Sequence, residues 1–365
     1  MVEWKKLGEV CSFNRGRTIT SKDAIDGGIP VIAGGQTPSY YHNEANRIGE
    51  SITIAGSGAY AGFVAYWNQP IFVSDAFTVD PTDSLLHKYL FYWLKKHQEK
   101  VFATQKGAGV PHVHGKDIAS FCIPIPSLSE QHRIVGILDI FTSSIDNLKQ
   151  QIEQRRKQYE FYRDKLLDLE GKEGVEMKTL KEVFDTRNGY TPSTANSSFW
   201  EDGAIPWFKM EDLRDNGRLL NDSNLHITPN AIKGKGLFKA NSIILATSAT
   251  IGEHALITVD HLCNQRFTNF YPKKEYLAKI EMKFVYYYMF LIDKWCKQHI
   301  NQGGFASVDM GGLYNLTFPI PSIVDQQRIV SILDTFEDSI RNLEEQLKLR
   351  EKQYEYYRNK LLTLE

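Results

Sequence analysis

Apolar residues recur in alternating steps of four and three along two stretches of the chain. The first series is Ile134, Leu138, Phe141, Ile145, Leu148, Ile152, Arg155, Tyr159, Tyr162, Leu166 and Leu169. The second is Ile329, Leu333, Phe336, Ile340, Leu343, Leu347, Arg350, Tyr354, Tyr357, Leu361 and Leu364. Strict alternation of this kind lays one narrow apolar stripe along a helix, and that stripe needs a partner helix. Each stretch predicts a helix of about 40 residues, roughly 60 Å long. Pro-x-Pro ahead of each start is extended backbone. Ser127-x-x-Glu130 then forms a capping box, and Ser322-x-x-Asp325 approximates one. Arg155 and Arg350 interrupt the stripe at equivalent places, where a buried Arg is expected to fix register. The tyrosines of the stripe are expected in the core.

The two stretches are copies. From Pro124 and from Pro319, 29 of 47 positions are identical without a gap. One structural unit is therefore used twice, and the partner of each helix is expected to be the other copy. The segments in front are related more faintly. Leu7-Gly-Glu-Val10 matches Leu180-Lys-Glu-Val183, and Gly16 falls on Gly189 at an offset of 173, against 195 for the helices. The second globular region thus carries about 22 more residues. Gly28–Val31 pairs with Ala204–Trp207, and Ser51–Ala55 with Ser242–Ala246. The order is a globular region over residues 1–122, a helix over 123–170, a second globular region over 171–317 and a helix over 318–365. Gly171-Lys-Glu-Gly174 is a flexible break.

Within the globular regions the pattern shortens to β-type runs between Gly, Asn, Asp and Pro turns: Ser51–Ala55, Phe63–Tyr66, Ile71–Val73, Ser242–Ala246 and Ala255–Val259. Each region also holds an aromatic helical segment, Leu85–Val101 and Tyr276–His299, whose spaced apolar residues are expected to be core. The class is α+β.

The 365 residues are 42% hydrophobic and 24% charged, as in globular proteins, and suffice for two or three domains. Net charge is −1, and outside the helical copies it is about +2, so any basic face must come from clustering in the fold. Cys11, Cys122, Cys263 and Cys296 are scattered, with neither metal-ligand nor disulfide spacing, which predicts a reducing, cytoplasmic setting. No leader and no membrane segment is expected.

Catalytic motifs are sparse. There is no GxxxxGK[ST] and no Asn/Asp-Pro-Pro-Tyr/Phe, so an adenine DNA methyltransferase lacks its chemistry here. His112-x-His114 is the tightest His pair; it suits phosphate, whereas a metal needs more ligands. Gly56-Ser-Gly58-Ala-Tyr-Ala-Gly62 follows a strand as a nucleotide loop does, but Ala61 breaks GxGxxG. Its counterpart Leu245–Gly252 has lost two of the glycines, so a tight turn is the reading.

Polar loop clusters fit DNA better, since Arg and Lys neutralise phosphate and Arg, Asn, Gln, Ser and Thr read base edges. In the first globular region they are Arg15, Arg17, Thr18 and Thr20; Gln36, Tyr40, Tyr41, His42 and Asn43; and Gln105, Lys106, His112, His114 and Lys116. In the second they are Arg187, Asn188, Tyr190, Thr191 and Ser193; Lys209, Lys233 and Lys235; and Asn264, Gln265, Arg266, Asn301 and Gln302. Each cluster alone is also what an ordinary solvated loop looks like. Their occurrence in both globular regions is the argument for function.

The paired Pro-Ile-Pro-Ser segments, each leading into Glu-Gln-His-Arg-Ile-Val or Asp-Gln-Gln-Arg-Ile-Val and closing with Lys-Gln-Tyr-Glu-x-Tyr-Arg, resemble the specificity subunit of type I restriction-modification systems. Leu-Gly-Glu-Val with Arg-Gly-Arg-Thr, and Gly189-Tyr-Thr-Pro-Ser193, look like that family's openings. The resemblance covers essentially the whole chain. It implies two target recognition domains joined by two long antiparallel coiled-coil helices in a pseudo-twofold arrangement, each domain reading half of a gapped double-stranded DNA target. It implies that the helices set the spacing and dock two methylation subunits, with restriction subunits completing an ATP-dependent endonuclease. S-adenosylmethionine, ATP and Mg would sit in those partners, and no cofactor in this chain. Asn188 and Tyr190 stand where the first opening has Arg15 and Arg17, which departs from a simple phosphate clamp. A coiled-coil assembly protein without DNA specificity remains open beside this reading.

Overall fold

Leu128–Leu167 and Ile323–Thr363 are two unbroken helices in a computed structural model that describes residues 2–301 and 306–363. Leu364, the last residue of the second stripe, lies outside the described residues. Both helices begin where a serine hydroxyl accepts from the backbone three residues on, at Glu130 (3.3 Å) and Asp325 (3.1 Å).

By contact the chain falls into two units, residues 1–151 with 343–365, and residues 152–342. Each long helix therefore lends one portion to each unit. In unit 1 the helices run antiparallel: Phe141 stacks on Tyr357 at 5.3 Å, and Lys149 pairs with Glu351 at 3.5 Å. Ile134, Leu138, Ile145, Leu148 and Ile152 are buried along the first helix, and Ile329 and Leu333 along the second. Such burial stabilises by about 1.5–3 kcal/mol per side chain. The stripe is less dry than its spacing predicts. Phe336, Ile340, Leu343 and Leu347 are half-buried, and Tyr162 and Tyr357 are 43% and 41% exposed. The last two are not core residues: each lays its ring on a phenylalanine of the facing helix, Phe336 or Phe141, and stays partly open to solvent. Arg155 lies over Phe336 at 5.9 Å and Arg350 over Phe141 at 5.7 Å, so both stripe arginines mark the same contact.

The globular region of unit 1 carries an antiparallel four-stranded sheet in the order Cys11–Arg15, Ala76–Pro81, Glu50–Ala55, Val64–Asn68. Beside it Tyr40–His42, Ile29–Ile32 and Phe72–Val73 form a smaller sheet. A two-stranded ribbon, Glu3–Lys6 with Cys122–Ile125, leads into the first long helix. Unit 2 repeats all three. Its main sheet runs Phe184–Asn188, Phe267–Pro272, Ser242–Ala246, His254–Ile257, with a fifth strand Leu219–Leu220 added in parallel. Its small sheet is His226–Ile227, Ile205–Phe208, Leu262–Cys263, and its ribbon Glu176–Thr179 with Thr317–Ile320. Part of the extra length of the second globular region is the helix Met210–Asn216 and that fifth strand.

The aromatic segments pack the sheets against the long helices. In unit 1 the segment is two helices, His87–Lys96 and Gln98–Phe102, broken at His97; in unit 2 it is one, Met282–Gln298. The latter is buried more widely than its sequence spacing predicts, because Val285, Tyr286, Tyr287 and Met289 are covered as well as Phe284. Among the described residues no helix is long and apolar enough to cross a membrane.

Candidate nucleic-acid interface

Strand Cys11–Arg15 ends with Arg15 opposite Phe77, and the chain leaves the sheet at Gly16. There the backbone is pressed onto a neighbouring turn: a Cβ on Gly16 would stand 2.3 Å from the Ser74 carbonyl oxygen. The Gly16 and Arg17 amides donate to Ala76 (2.9 Å) and Val73 (3.0 Å), which locks the opening against that turn. From the other side comes a hairpin in which Lys106 and His112 exchange backbone hydrogen bonds. The Val113 amide donates to Gly56 at 3.0 Å. Between these elements lies a cleft of about 790 Å³, lined among others by Arg15, Thr18, Asp75, His112, His114 and Lys116. The rings of His112 and His114 are parallel within 3°, 6.4 Å apart. Lys106 is tied to Asp117 at 2.7 Å, and that hydrogen bond holds the Asp117 carboxyl below its ordinary pKa.

The structure thus brings together five of the predicted residues of unit 1. The others stand apart from this cleft. Tyr40 donates its hydroxyl to the Ile19 carbonyl at 2.5 Å and holds the opening loop, and Thr20 donates to Asp23 at 2.5 Å. Arg17 lies over the Phe72 ring at 5.1 Å and faces Glu44 at 3.5 Å. His42 is buried with its Nδ1 against the backbone of Ile25. Gln105 donates to the Ala61 carbonyl at 2.8 Å. Gln36, Tyr41 and Asn43 are exposed.

Unit 2 repeats the opening with different side chains. A Cβ on Gly189 would meet the Cys263 carbonyl oxygen at 2.2 Å. The Gly189 and Tyr190 amides donate to Phe267 (2.9 Å) and Cys263 (2.8 Å). Arg187 is half-buried, donates to the Gly236 carbonyl at 2.7 Å and lies 4.1 Å over the Phe238 ring; burial lowers its pKa. Tyr190 is half-buried, its hydroxyl donating to Ala231 at 3.1 Å and accepting from the Lys233 amide at 2.8 Å. Asn188 accepts from Thr268 at 2.8 Å, and Ser193 accepts the Trp200 indole through its carbonyl. Thr191 donates to Gln265 at 2.5 Å. Lys209 precedes the helix Met210–Asn216, while Lys233, Lys235, Arg266 and Asn301 are exposed. Gln302 lies outside the described residues.

A cleft rimmed by Arg15, Lys116 and two histidines is suited to phosphate oxygens, with hydroxyl and amide groups left for base edges. No group of three or more His, Cys, Asp or Glu able to hold a metal occurs among the described residues. Sequence reading passed over Asp75, an exposed acid inside this cleft, to which the Ser57 hydroxyl donates. The signal that finds it is the repeat itself: Phe72–Val73 and Leu262–Cys263 pair in parallel with equivalent strands, so the turns that follow correspond.

The chain matches the family model described as type I restriction modification DNA specificity domain over residues 1–155 and 172–350. It is 34% identical over 391 aligned positions to the EcoR124I/EcoR124II specificity subunit of Escherichia coli, spanning 99% of this chain and 94% of that one. It is 46% identical to the Escherichia coli EcoprrI specificity subunit over 215 positions, 55% of this chain and about half (52%) of that protein. Among solved structures, the type I restriction-modification S subunit from M. genitalium superposes with a TM-score of 0.65. That match is 17% identical and covers 99% of this chain and 96% of the other. The HsdS subunit from Thermoanaerobacter tengcongensis gives 0.52 at 17% identity, over 99% and 96%. These likenesses are of fold.

Proposed function

Because the chain belongs to the type I restriction modification DNA specificity family, we propose that it is the non-catalytic component that chooses the target of a restriction-modification complex. Each globular region reads one half of a gapped double-stranded DNA sequence. The long helices set the spacing and dock two methylation subunits, and restriction subunits complete the assembly. The methyl donor S-adenosylmethionine, ATP and Mg belong to those partners, and the complex works in the prokaryotic cytoplasm as an adenine DNA methyltransferase and ATP-dependent endonuclease.

One observation carries this reading. The joint between head and helix is the same in both units, while the loops above it differ. Gln131 and Gln326, both fully buried, each accept a backbone amide, from Leu86 and Glu281, at 2.9 Å. Lys88 and Lys283 each reach an aspartate of the long helix, Asp139 or Asp334, at 2.7 Å. A constant seat under variable loops is what two interchangeable readers on one scaffold require.

The test is a methylome of cells expressing the chain with its methylation subunit. A split motif with a fixed gap, methylated at adenine on both strands, is expected. An ungapped site would argue against two heads, and an assembled complex without methylation would favour the scaffold reading. Inserting one heptad in each long helix, near Gln151 and Gln346, is expected to lengthen the gap. Exchanging residues before Ile123 is expected to change one half of the motif only.

A further inference from the structure

The turns that close the two openings carry opposite charges at one backbone position. In unit 1 the turn is Ser74-Asp75, and the Gly56 amide donates to the Asp75 carbonyl at 3.1 Å. In unit 2 it is Asn264-Gln265-Arg266, one residue longer, and the Thr247 amide donates to the Arg266 carbonyl at 2.9 Å. The strands that follow begin at Ala76 and at Phe267, and each accepts from the opening glycine, Gly16 or Gly189, at 2.9 Å. By these bonds Asp75 corresponds to Arg266, and Gln265 is the insertion.

Both side chains are exposed, and neither forms an ion pair among the described residues. Among the described residues the Asp75 carboxylate accepts only from the Ser57 hydroxyl. The Asn264 side chain accepts the Arg266 amide at 3.0 Å and shapes the turn without using the guanidinium. Gln265, by contrast, is held by Thr191.

A carboxylate in a cleft rimmed by Arg15, His112, His114 and Lys116 is repelled by any phosphate those groups bind. It is tolerated against DNA only where it meets a donor. In the major groove both purines present N7, an acceptor, and thymine presents O4, another; cytosine alone offers an amino group with no acceptor beside it. Guanine offers N7 and O6 together, which match the fork of an arginine. We propose that Asp75 and Arg266 are equivalent specificity-determining residues of opposite sense, Asp75 selecting cytosine in one half-site and Arg266 guanine in the other. This rests on the DNA-specificity reading above.

The test uses the complex of the full chain with its methylation subunit and a pool of random duplex DNA, sequencing the bound fraction. The unaltered complex is expected to return two half-sites around a fixed gap. A pool without any motif would overturn the DNA-specificity reading itself, and this inference with it. D75N is expected to lower the preference for cytosine at one position of one half-site, by roughly ten- to hundred-fold, and R266Q to do the same for guanine in the other half. D75R is expected to install guanine where cytosine was. All three are surface changes, checked by an unchanged melting temperature. Recovery of the original motif by both D75N and R266Q would overturn the assignment. So would an equal loss of enrichment at every position of both halves, which is the mark of lost phosphate contact.

Discussion

Lys88 reaches Asp139 of the first long helix at 2.7 Å, and Asp139 accepts at the same time from the Tyr92 hydroxyl at 2.6 Å. The set recurs 195 residues later as Lys283, Tyr287 and Asp334. One carboxylate thus gathers a cation and a phenol from the packed helix beside it, and burial and the Asp139 bond both raise the Tyr92 pKa far above its ordinary value. The tyrosine stays a donor at every working pH.

Gln131 makes the deeper half of this joint. Besides accepting from Leu86, its amide donates to the Ser84 and Pro126 carbonyls at 2.9 and 3.0 Å. Gln131→Ala leaves the buried Pro126 carbonyl and the part-buried Leu86 amide and Ser84 carbonyl without their side-chain partner and is expected to cost about 2 kcal/mol, as is Gln326→Ala. Urea unfolding of the full chain measures it; a loss below about 1 kcal/mol would mean water replaces the side chain.

Gly16→Ala and Gly189→Ala push a methyl into backbone oxygens 2.3 and 2.2 Å away. Neither turn can yield without breaking its sheet bonds. Each variant is expected to lose about 2 kcal/mol or more and to abolish binding by its own half-site. Thermal melts and footprinting of the two half-sites check this, and protection of both halves by Gly16→Ala would contradict it.

Phe141→Ala removes the ring that Tyr357 stacks on and Arg350 covers. Phe336→Ala does the same to Tyr162 and Arg155. Each loss is expected to cost about 3 kcal/mol. Because the two sets share no side chain, the double variant is expected to be additive within about 0.5 kcal/mol. Chemical denaturation of the four proteins of the cycle reads the coupling.

Acid is expected to weaken unit 2 through two buried histidines. His254 packs against Phe290 at 4.6 Å, and burial, then the Arg218 charge, pull its pKa down to about 3. His261 sits between Phe208 and Phe238, and burial lowers its pKa to about 4. Both folded values lie below the ordinary 6.5, so the unfolded chain takes up protons first. Their stability is intact above that pH and is lost as pH falls through it. At about pH 5 each costs about 2 kcal/mol relative to pH 8. Denaturant midpoints at the two pH values test it; equal midpoints would show that these rings are not kept neutral.

Long-range order was legible wherever it was periodic. The stripe from Ile134 to Ile152 and its copy from Ile329 repeat one local rule many times, so a single sequence announces helices, partner and duplication together. The opening glycines were legible too, because Gly16 and Gly189 each answer a steric demand that no other residue meets. Polar loop residues follow no such rule. Arg187, Tyr190, Tyr40 and Gln105 looked like DNA contacts by type. What each one does depends on a carbonyl or ring supplied 21 to 51 residues away, counting Tyr40 to Ile19 and Arg187 to Phe238.

The amino-acid sequence by itself determined the α+β class, the twofold use of one helical unit and the family, since helical periodicity and internal identity are properties of neighbouring positions. Only the tertiary structure decided which polar groups stay in the cleft, that Gln131 and Asp139 form the seat of each head with their copies, and that Asp75 answers Arg266. Those facts are pairings between strands and helices distant in the chain, set by burial and by backbone hydrogen bonds that must all be satisfied at once.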